Sequence, residues 1–288
     1  MKIYIPSTSR SDCPNTAALR NKAASMGHDL VDLPSIDACA ILLGDRSEML
    51  TVARSCIEAH CRWIHVGAGC KTEGSWDQYV RDMLTAGCVK AWAYSEVAAY
   101  GDDFIQFAQR MYGVPVLDML TKSTLPRKDY ALVAINPVTS RQIREEHLIV
   151  SEIRFALHEL KIDARWSMPN EDPQSRSLAA SMQRAWPKQQ LTRGEFATAI
   201  RECAVMVGNS SSALIEAPVL GTPFVDCGCR QQGRPLAMGV CGSENIKRAI
   251  RNARPYEGQS PYQHPQRKAC ESIIKIAESY DEWRRANG

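Results

Sequence analysis

The chain has 288 residues, 44% of them apolar and 23% charged, a length that favours two cores of ordinary size over one. Its 35 basic and 32 acidic residues leave a formal charge of +3 with no long tract of one sign, which argues against a nucleic-acid partner. No apolar run approaches the roughly 18 residues that span a bilayer, and MKIYIPSTSR lacks the apolar core of a signal peptide, so a soluble cytoplasmic protein with no membrane partner is expected.

Taken in chain order, short β-branched or apolar segments alternate with stretches of helical period, the signature of parallel sheets covered by helices. Lys2 to Pro6 reads as a first strand, and Asn15 to Met26 as a helix ending at Gly27, where a residue without Cβ can turn left-handed. Asp29 to Leu33 is a second strand, and Ala38 to Leu43 (ACAILL) is a continuous apolar run expected of a strand buried on both faces. Ser47 to His60 is a helix, Arg62 to Val66 a strand, Asp77 to Ala86 a helix, Ala91 to Ser95 a strand and Asp102 to Met111 a helix.

Asp118 to Lys128 reads as a crossover, after which the strand pattern restarts at Tyr130 to Ile135. A long helix over Arg141 to Leu160, a strand at Asp163 to Ser167 and a helix to Ala185 follow. Then come a helix over Phe196 to Cys203, a strand at Val205 to Val207, a loop Gly208 to Ser212, a helix Ala213 to Leu220 and a strand Pro223 to Asp226. The last segment, Arg267 to Arg285, carries the apolar stripe of an amphipathic helix. Trp166, Trp186 and Phe196 are expected in the core rather than on a stacking surface. The eleven cysteines contain no C-x-x-C pair, so no zinc site or disulfide framework is expected, and Cys39, Cys56 and Cys203 read as small core hydrophobes.

The segment richest in chemistry is Gly208-Asn209-Ser210-Ser211-Ser212-Ala213-Leu214-Ile215-Glu216-Ala217-Pro218, followed by Gly221-Thr222-Pro223 and Arg230-Gln231-Gln232-Gly233-Arg234. A strand ends, three hydroxyls follow and a helix begins, so free N–H groups, serine side chains and the positive helix end converge as they do around bound phosphate. Glu216 falls on the same helix, where a carboxylate can accept from ribose hydroxyls, and Arg230 and Arg234 can add charge-assisted bonds to a diphosphate. A plain N-cap and a solvated arginine loop account for each feature singly; together they favour a nucleotide.

This stretch resembles the hydrolysing UDP-N-acetylglucosamine 2-epimerases, and the first half carries further pieces of the same pattern. Ser9-Arg10-Ser11-Asp12 is similar to the family's arginine loop, and Gly44-Asp45-Arg46-Ser47-Glu48 to its G-D-R-x-E segment. His65 to Asp77 (HVGAGCKTEGSWD), with Arg81 beyond, resembles its histidine, glycine-rich and T-E-G segment. The resemblance implies a GT-B architecture, α/β with two Rossmann-like domains of parallel strands and a cleft between them. The divisions it suggests are a sugar-side domain at 1–116, a nucleotide-side domain at 117–266 and a terminal helix at 267–288 packed back on the first.

By the same resemblance, Ser210, Ser211 and Ser212 bind phosphates beside Asn209, Glu216 binds ribose, and Arg230, Arg234, Arg81 and Asn136 complete the substrate contacts. Asp45 and Glu73 are the acid–base candidates, Asp77 their alternate, and Arg10 the cation for the leaving diphosphate. Against that stand Asp45 as an ion pair with Arg46 and Asp77 as a helix cap. No cofactor or metal is implied; the partner is a UDP-sugar, and a homodimer is left open. Three departures bear on the chemistry: Cys70 stands where one branch has a carboxylate, Asn136 where a histidine usually precedes proline, and the stretch from Arg10 to Asp45 is short. A nucleotide-sugar transferase of the same fold, or a nucleotide-binding protein without turnover, therefore remain alternatives to an epimerase.

Overall fold

The computed structural model describes residues 1–6, 13–44, 47–69, 72, 78–95, 111–140, 145–187 and 190–287. Two compact units result, one of Met1–Lys71, Asp77–Met119 and Pro261–Gly288, the other mainly Leu120–Ser260. Each is Rossmann-like, so the α/β class expected from the alternation forms, as does the GT-B-like class that the resemblance implies.

In the first unit, β1 (Lys2–Tyr4), β2 (Asp29–Val31), β3 (Ala38–Leu43), β4 (Arg62–Ala68) and β5 (Lys90–Ala93) form one sheet in the order β2-β1-β3-β4-β5. All four pairings are parallel. Helix α1 (Cys13–Ser25) covers one face, where Leu19 and Ala23 meet Ile3 and Ile41, while α2 (Glu48–Glu58) and α3 (Gln78–Ala86) cover the other through Met49, Cys56 and Leu84. Cover on both faces is why every residue of β3 is buried and why its sequence shows no alternation. Gly27 closes α1 at φ +81, as its lack of a Cβ allows.

The second unit holds β6 (Lys128–Ala134), β7 (Asp163–Ser167), β8 (Gln190–Leu191), β9 (Cys203–Gly208) and β10 (Phe224–Asp226) in the order β10-β9-β6-β7-β8, again parallel throughout. On one face α4 (Glu145–Leu160), α5 (Ser175–Ala185) and α8 (Ser243–Asn252) pack Ile149, Ile153, Leu178, Met182 and Ile246 against Val133, Val207 and Val225. On the other, α6 (Arg193–Glu202) and α7 (Ser211–Leu220) pack against Leu132 and Met206. Trp166 and Trp186 lie in the first of these cores, Trp166 donating Nε1–H to the Trp186 carbonyl at 2.9 Å, and Phe196 packs beside the second. Cys39, Cys56 and Cys203 are buried thiols.

The final helix, α9 (Ala269–Asn287), belongs to the first unit, where Ile273, Ile274 and Ala277 join the core around Ile3 and Trp92. Its start is fixed by Asp118, which accepts from the Ala269 and Cys270 N–H groups at 3.0 and 2.7 Å. Asp118 lies within a short 3-10 turn, Pro115–Met119, at the start of the segment the sequence reads as crossover. Because one carboxylate satisfies two N–H groups at the positive end of the helix, Asp118→Ala is expected to cost about 1.5 kcal/mol. A thermal melt equal to wild type would remove that role.

The expected helix over Asp102 to Met111 falls almost wholly outside the described residues, and only Glu145 onward of the Arg141–Leu160 helix falls inside them. Helix α7 begins two residues earlier than expected: Ser211 and Ser212 form its first turn, leaving Ser210 as the capping residue. The short helix α8 and the two-residue strand β8 are additions to the sequence reading.

Candidate functional site

Strand order locates the places where a doubly wound sheet can take a ligand. Ligands sit beyond the carboxyl ends of the strands, where successive connections leave in opposite directions. In the second unit that point lies between β6 and β9, and in the first between β1 and β3.

At the β6/β9 point the chain is held by a group of amides. Gly208 ends β9 at φ +142, so close to β6 that a Cβ would fall 2.1 Å from the Ala134 carbonyl oxygen. Asn209, fully buried, donates its backbone N–H to that same oxygen at 3.1 Å. Its side-chain oxygen accepts from the Asn136 N–H at 2.6 Å, and its side-chain nitrogen donates to the Asn136 carbonyl at 2.9 Å. The Asn136 side chain then accepts the Asn170 N–H at 2.8 Å, carrying the tie to the end of β7. Asn209 and Asn136, expected among the substrate contacts, are thus braces of the loops.

Directly beyond, Ser210 takes extended φ/ψ and accepts the Ser212 N–H on its hydroxyl at 3.4 Å, a serine N-cap for α7. The Ser212 hydroxyl donates to Glu216 Oε1 at 2.8 Å, one turn along. Glu216 is half-buried, and burial pushes its carboxyl above the usual range against the opposing pull of the Ser212 hydroxyl and Arg201. Ser211, half-buried, opens the helix between them. The structure therefore gathers Ser210, Ser211, Ser212 and Glu216 on one helical turn and a half, where the Ser212 N–H goes to the Ser210 hydroxyl and the Ala213 N–H to the Ser210 carbonyl at 3.1 Å.

The two arginines differ. Arg230 donates from Nε to the Pro137 carbonyl at 3.0 Å and from Nη1 to the Asn209 carbonyl at 3.4 Å, and its Nη2 stands 3.6 Å from Asp172 Oδ2. It clamps the serine-bearing loop to the loop after β6. Gln231, fully buried, donates to the same Asn209 carbonyl at 2.7 Å and accepts from Arg234 Nη1 at 2.8 Å, so Arg234 is oriented through Gln231.

Sequence reasoning passes over Gln231, Asp172 and Asp226. Asp226 ends β10 opposite Gly208, fully buried, with Oδ2 accepting from the Met238 and Gly239 N–H groups at 3.2 and 3.3 Å. Burial raises its carboxyl to about 6, with those two N–H groups and then Arg230 and Arg234 pulling it back.

Arg10, Asp45, Glu73 and Asp77 lie outside the described residues, whereas Arg81 is buried on α3 of the first unit. Gly44, which precedes Asp45, closes β3 at φ +81 and donates to the Val66 carbonyl at 3.1 Å. Among the described residues no group of three His, Cys, Asp or Glu is placed to hold a metal ion, and no helix is long and apolar enough to cross a membrane.

The profile of the family described as UDP-N-acetylglucosamine 2-epimerase matches residues 102–278. The chain is 23% identical over 231 residues to GDP/UDP-N,N'-diacetylbacillosamine 2-epimerase (hydrolyzing) of Campylobacter jejuni, an alignment covering 71% of this chain and 59% of that protein. It is 26% identical over 167 residues to UDP-N-acetylglucosamine 2-epimerase of Neisseria meningitidis, covering 49% of this chain and 43% of that one. The chain thus spans less than two thirds of the length of these relatives. The solved structure of Methanocaldococcus jannaschii UDP-GlcNAc 2-epimerase in complex with UDP-GlcNAc and UDP superposes with a TM-score of 0.73 over 97% of this chain and 100% of that one, at 12% identity, a likeness of fold. With more than half of its length matched by the family's profile, the chain belongs to the UDP-N-acetylglucosamine 2-epimerase family.

Proposed function

We propose that the protein is a 2-epimerase-like enzyme acting on UDP-N-acetylglucosamine or a close UDP-sugar. The observation that carries this reading is the serine-capped start of α7 at the β6/β9 switch point, with Glu216 one turn on. Phosphate oxygens are acceptors only, and this turn presents hydroxyls and backbone N–H groups under the positive end of a helix dipole. Ser210, Ser211 and Ser212 hold the diphosphate, with Arg234 as the nearby cation. Glu216 exchanges its Ser212 hydrogen bond for ribose hydroxyls. Arg230 and Asn209 act beneath them by fixing the loop, and Asn136 by bracing it.

In the reaction, a base removes the proton from sugar C2 while the C1–O bond to UDP breaks, leaving a C1=C2 double bond and free UDP. Re-addition of UDP at C1 with protonation of C2 on the other face gives the epimer, and addition of water in place of UDP releases the free sugar. Asp45 and Glu73 carry the proton transfers, with Asp77 the alternate, and Arg10 with Arg81 steadies the departing diphosphate.

Ser211→Ala combined with Glu216→Ala is expected to weaken UDP binding by about 2 kcal/mol or more, read by calorimetry, since a hydrogen bond to a charged group is worth about 1.5–3 net of its exchange with water. Equal affinity in wild type and variant would remove the nucleotide site.

A second reading, nucleotide binding without turnover or transfer from the nucleotide, draws on Asn136. Its backbone and its side-chain oxygen are all engaged in bracing, and a carboxamide exchanges no proton near neutral pH. Proton NMR of UDP-N-acetylglucosamine in deuterated water separates the two. Deuterium at C2, or free N-acetylmannosamine, supports the epimerase; binding with C2 unlabelled supports the second reading.

A further inference from the structure

His65, on β4, has no accessible surface, yet both its ring nitrogens are used. Nε2 lies 2.9 Å from the Gly44 carbonyl oxygen, which only accepts, so the ring hydrogen is on Nε2. Nδ1 therefore accepts, and the Thr85 hydroxyl of α3 stands 2.8 Å from it; the Arg81 carbonyl, also 2.8 Å from that hydroxyl, competes for its one hydrogen. Burial brings the imidazole down to about 4 against the upward pull of the Gly44 carbonyl, so the ring is neutral across the physiological range. An uncharged, sealed histidine neither exchanges protons with a substrate nor attracts an anion. Its remaining capacity is geometric.

What it fixes is the exit from β3. The Gly44 N–H is spent on Val66 and its carbonyl on His65, so the residue is pinned on both sides at a positive φ. Asp45 follows Gly44 in sequence, so the backbone leading into it starts from a residue held at both its N–H and its carbonyl. Through Thr85 the same ring registers α3, which carries Arg81, against β4.

We propose that His65 is the positioning residue that holds the Gly44 end of β3, which precedes Asp45 in sequence, and the α3 turn bearing Arg81 in one register against β4. This rests on the reading that Asp45 transfers a proton. The test separates the two arms of the ring. His65→Gln keeps a donor near the Nε2 position, His65→Asn keeps a polar group near Nδ1 but loses reach to Gly44, and His65→Leu removes both.

Turnover of UDP-N-acetylglucosamine is expected to fall about 100-fold in kcat for His65→Leu and His65→Asn with KM within about threefold, and His65→Gln is expected to recover most of the loss, because a misplacement of about 1 Å at the reacting atoms is worth that much. Should His65→Leu fold poorly, the Gln and Asn pair still decides, both being compared by thermal melting beforehand. Wild-type kcat in His65→Asn, or a loss in His65→Gln as deep as in His65→Asn, overturns the proposal. Asp45→Asn is run alongside: if it is inactive while His65→Asn is unimpaired, the proposal alone fails. If Asp45→Asn turns over normally, the reading of Asp45 fails and takes this inference with it.

Discussion

Gly208→Ala is expected to destabilise the second unit by about 4 kcal/mol or more, the range reached only when a substitution breaks a packed, strained position. The added methyl would stand 2.1 Å from the Ala134 carbonyl oxygen and 2.8 Å from its carbon, both backbone atoms of the neighbouring central strand. A flexible side chain could swing away; β6 cannot, because it is paired to β7 on its other side. Residue 208 also holds φ +142, a conformation that side-chain-bearing residues rarely adopt. Moving it would detach Asn209 from Ala134, and with it the brace to Asn136. Urea unfolding followed by circular dichroism gives the test. A midpoint within error of wild type would mean that the β6/β9 contact is far more yielding than its geometry implies.

Asp226→Asn is expected to act in the opposite sense, stabilising the protein by about 3 kcal/mol at pH 7. The carboxyl titrates at about 6 in the fold against 3.8 in the unfolded chain, so the folded state binds the proton more tightly. Below about pH 4 both states are protonated and burial carries no charge penalty. As pH rises from 4 to 6 the unfolded chain ionises first, and above 6 the whole penalty is present. Asparagine keeps an oxygen for the Met238 and Gly239 N–H groups and places an amide nitrogen where Oδ1 already lacks a partner, so the count of unmet polar atoms is unchanged. The advantage of the variant should therefore vanish near pH 4. Parallel denaturation curves at pH 4 and pH 7 with equal differences would show that Asp226 is not the titrating group.

Elements whose cause is local were legible in the sequence. The run Ala38–Leu43 announces a strand covered on both sides, Gly27 ends its helix as a residue without Cβ should, and the Asp163–Ser167 strand has the bounds expected of it. The serine segment is readable for the same reason, since capping depends on a few neighbouring residues. Less local causes leave weaker traces. Helix α8 buries only Ile246 and Ile250 among charged neighbours, a stripe too narrow to stand out although the two isoleucines sit one turn apart. Strand β8 is two residues of sheet edge, held by pairing with Trp166 and Ser167 rather than by any pattern of its own.

The division of labour inside the candidate site was the hardest part to foresee. Arg230 and Arg234 look alike in sequence, but one reaches the Pro137 and Asn209 carbonyls while the other is steered by Gln231. Those partners lie up to 93 residues away along the chain, so no local reading could separate the two arginines. Gln231 shows in sequence only as a neighbour of the two arginines and Asp226 as the end of a strand, and their importance comes from being sealed beside the ends of β9 and β10.

The asparagine ladder across Asn170, Asn136 and Asn209 has a thermodynamic corollary for recognition. Three chain segments that would otherwise fluctuate independently are stitched before any guest arrives, so their ordering entropy is settled during folding. The proposed nucleotide would then meet a rigid rim, and its contacts would translate into affinity instead of being spent on disciplining loose backbone.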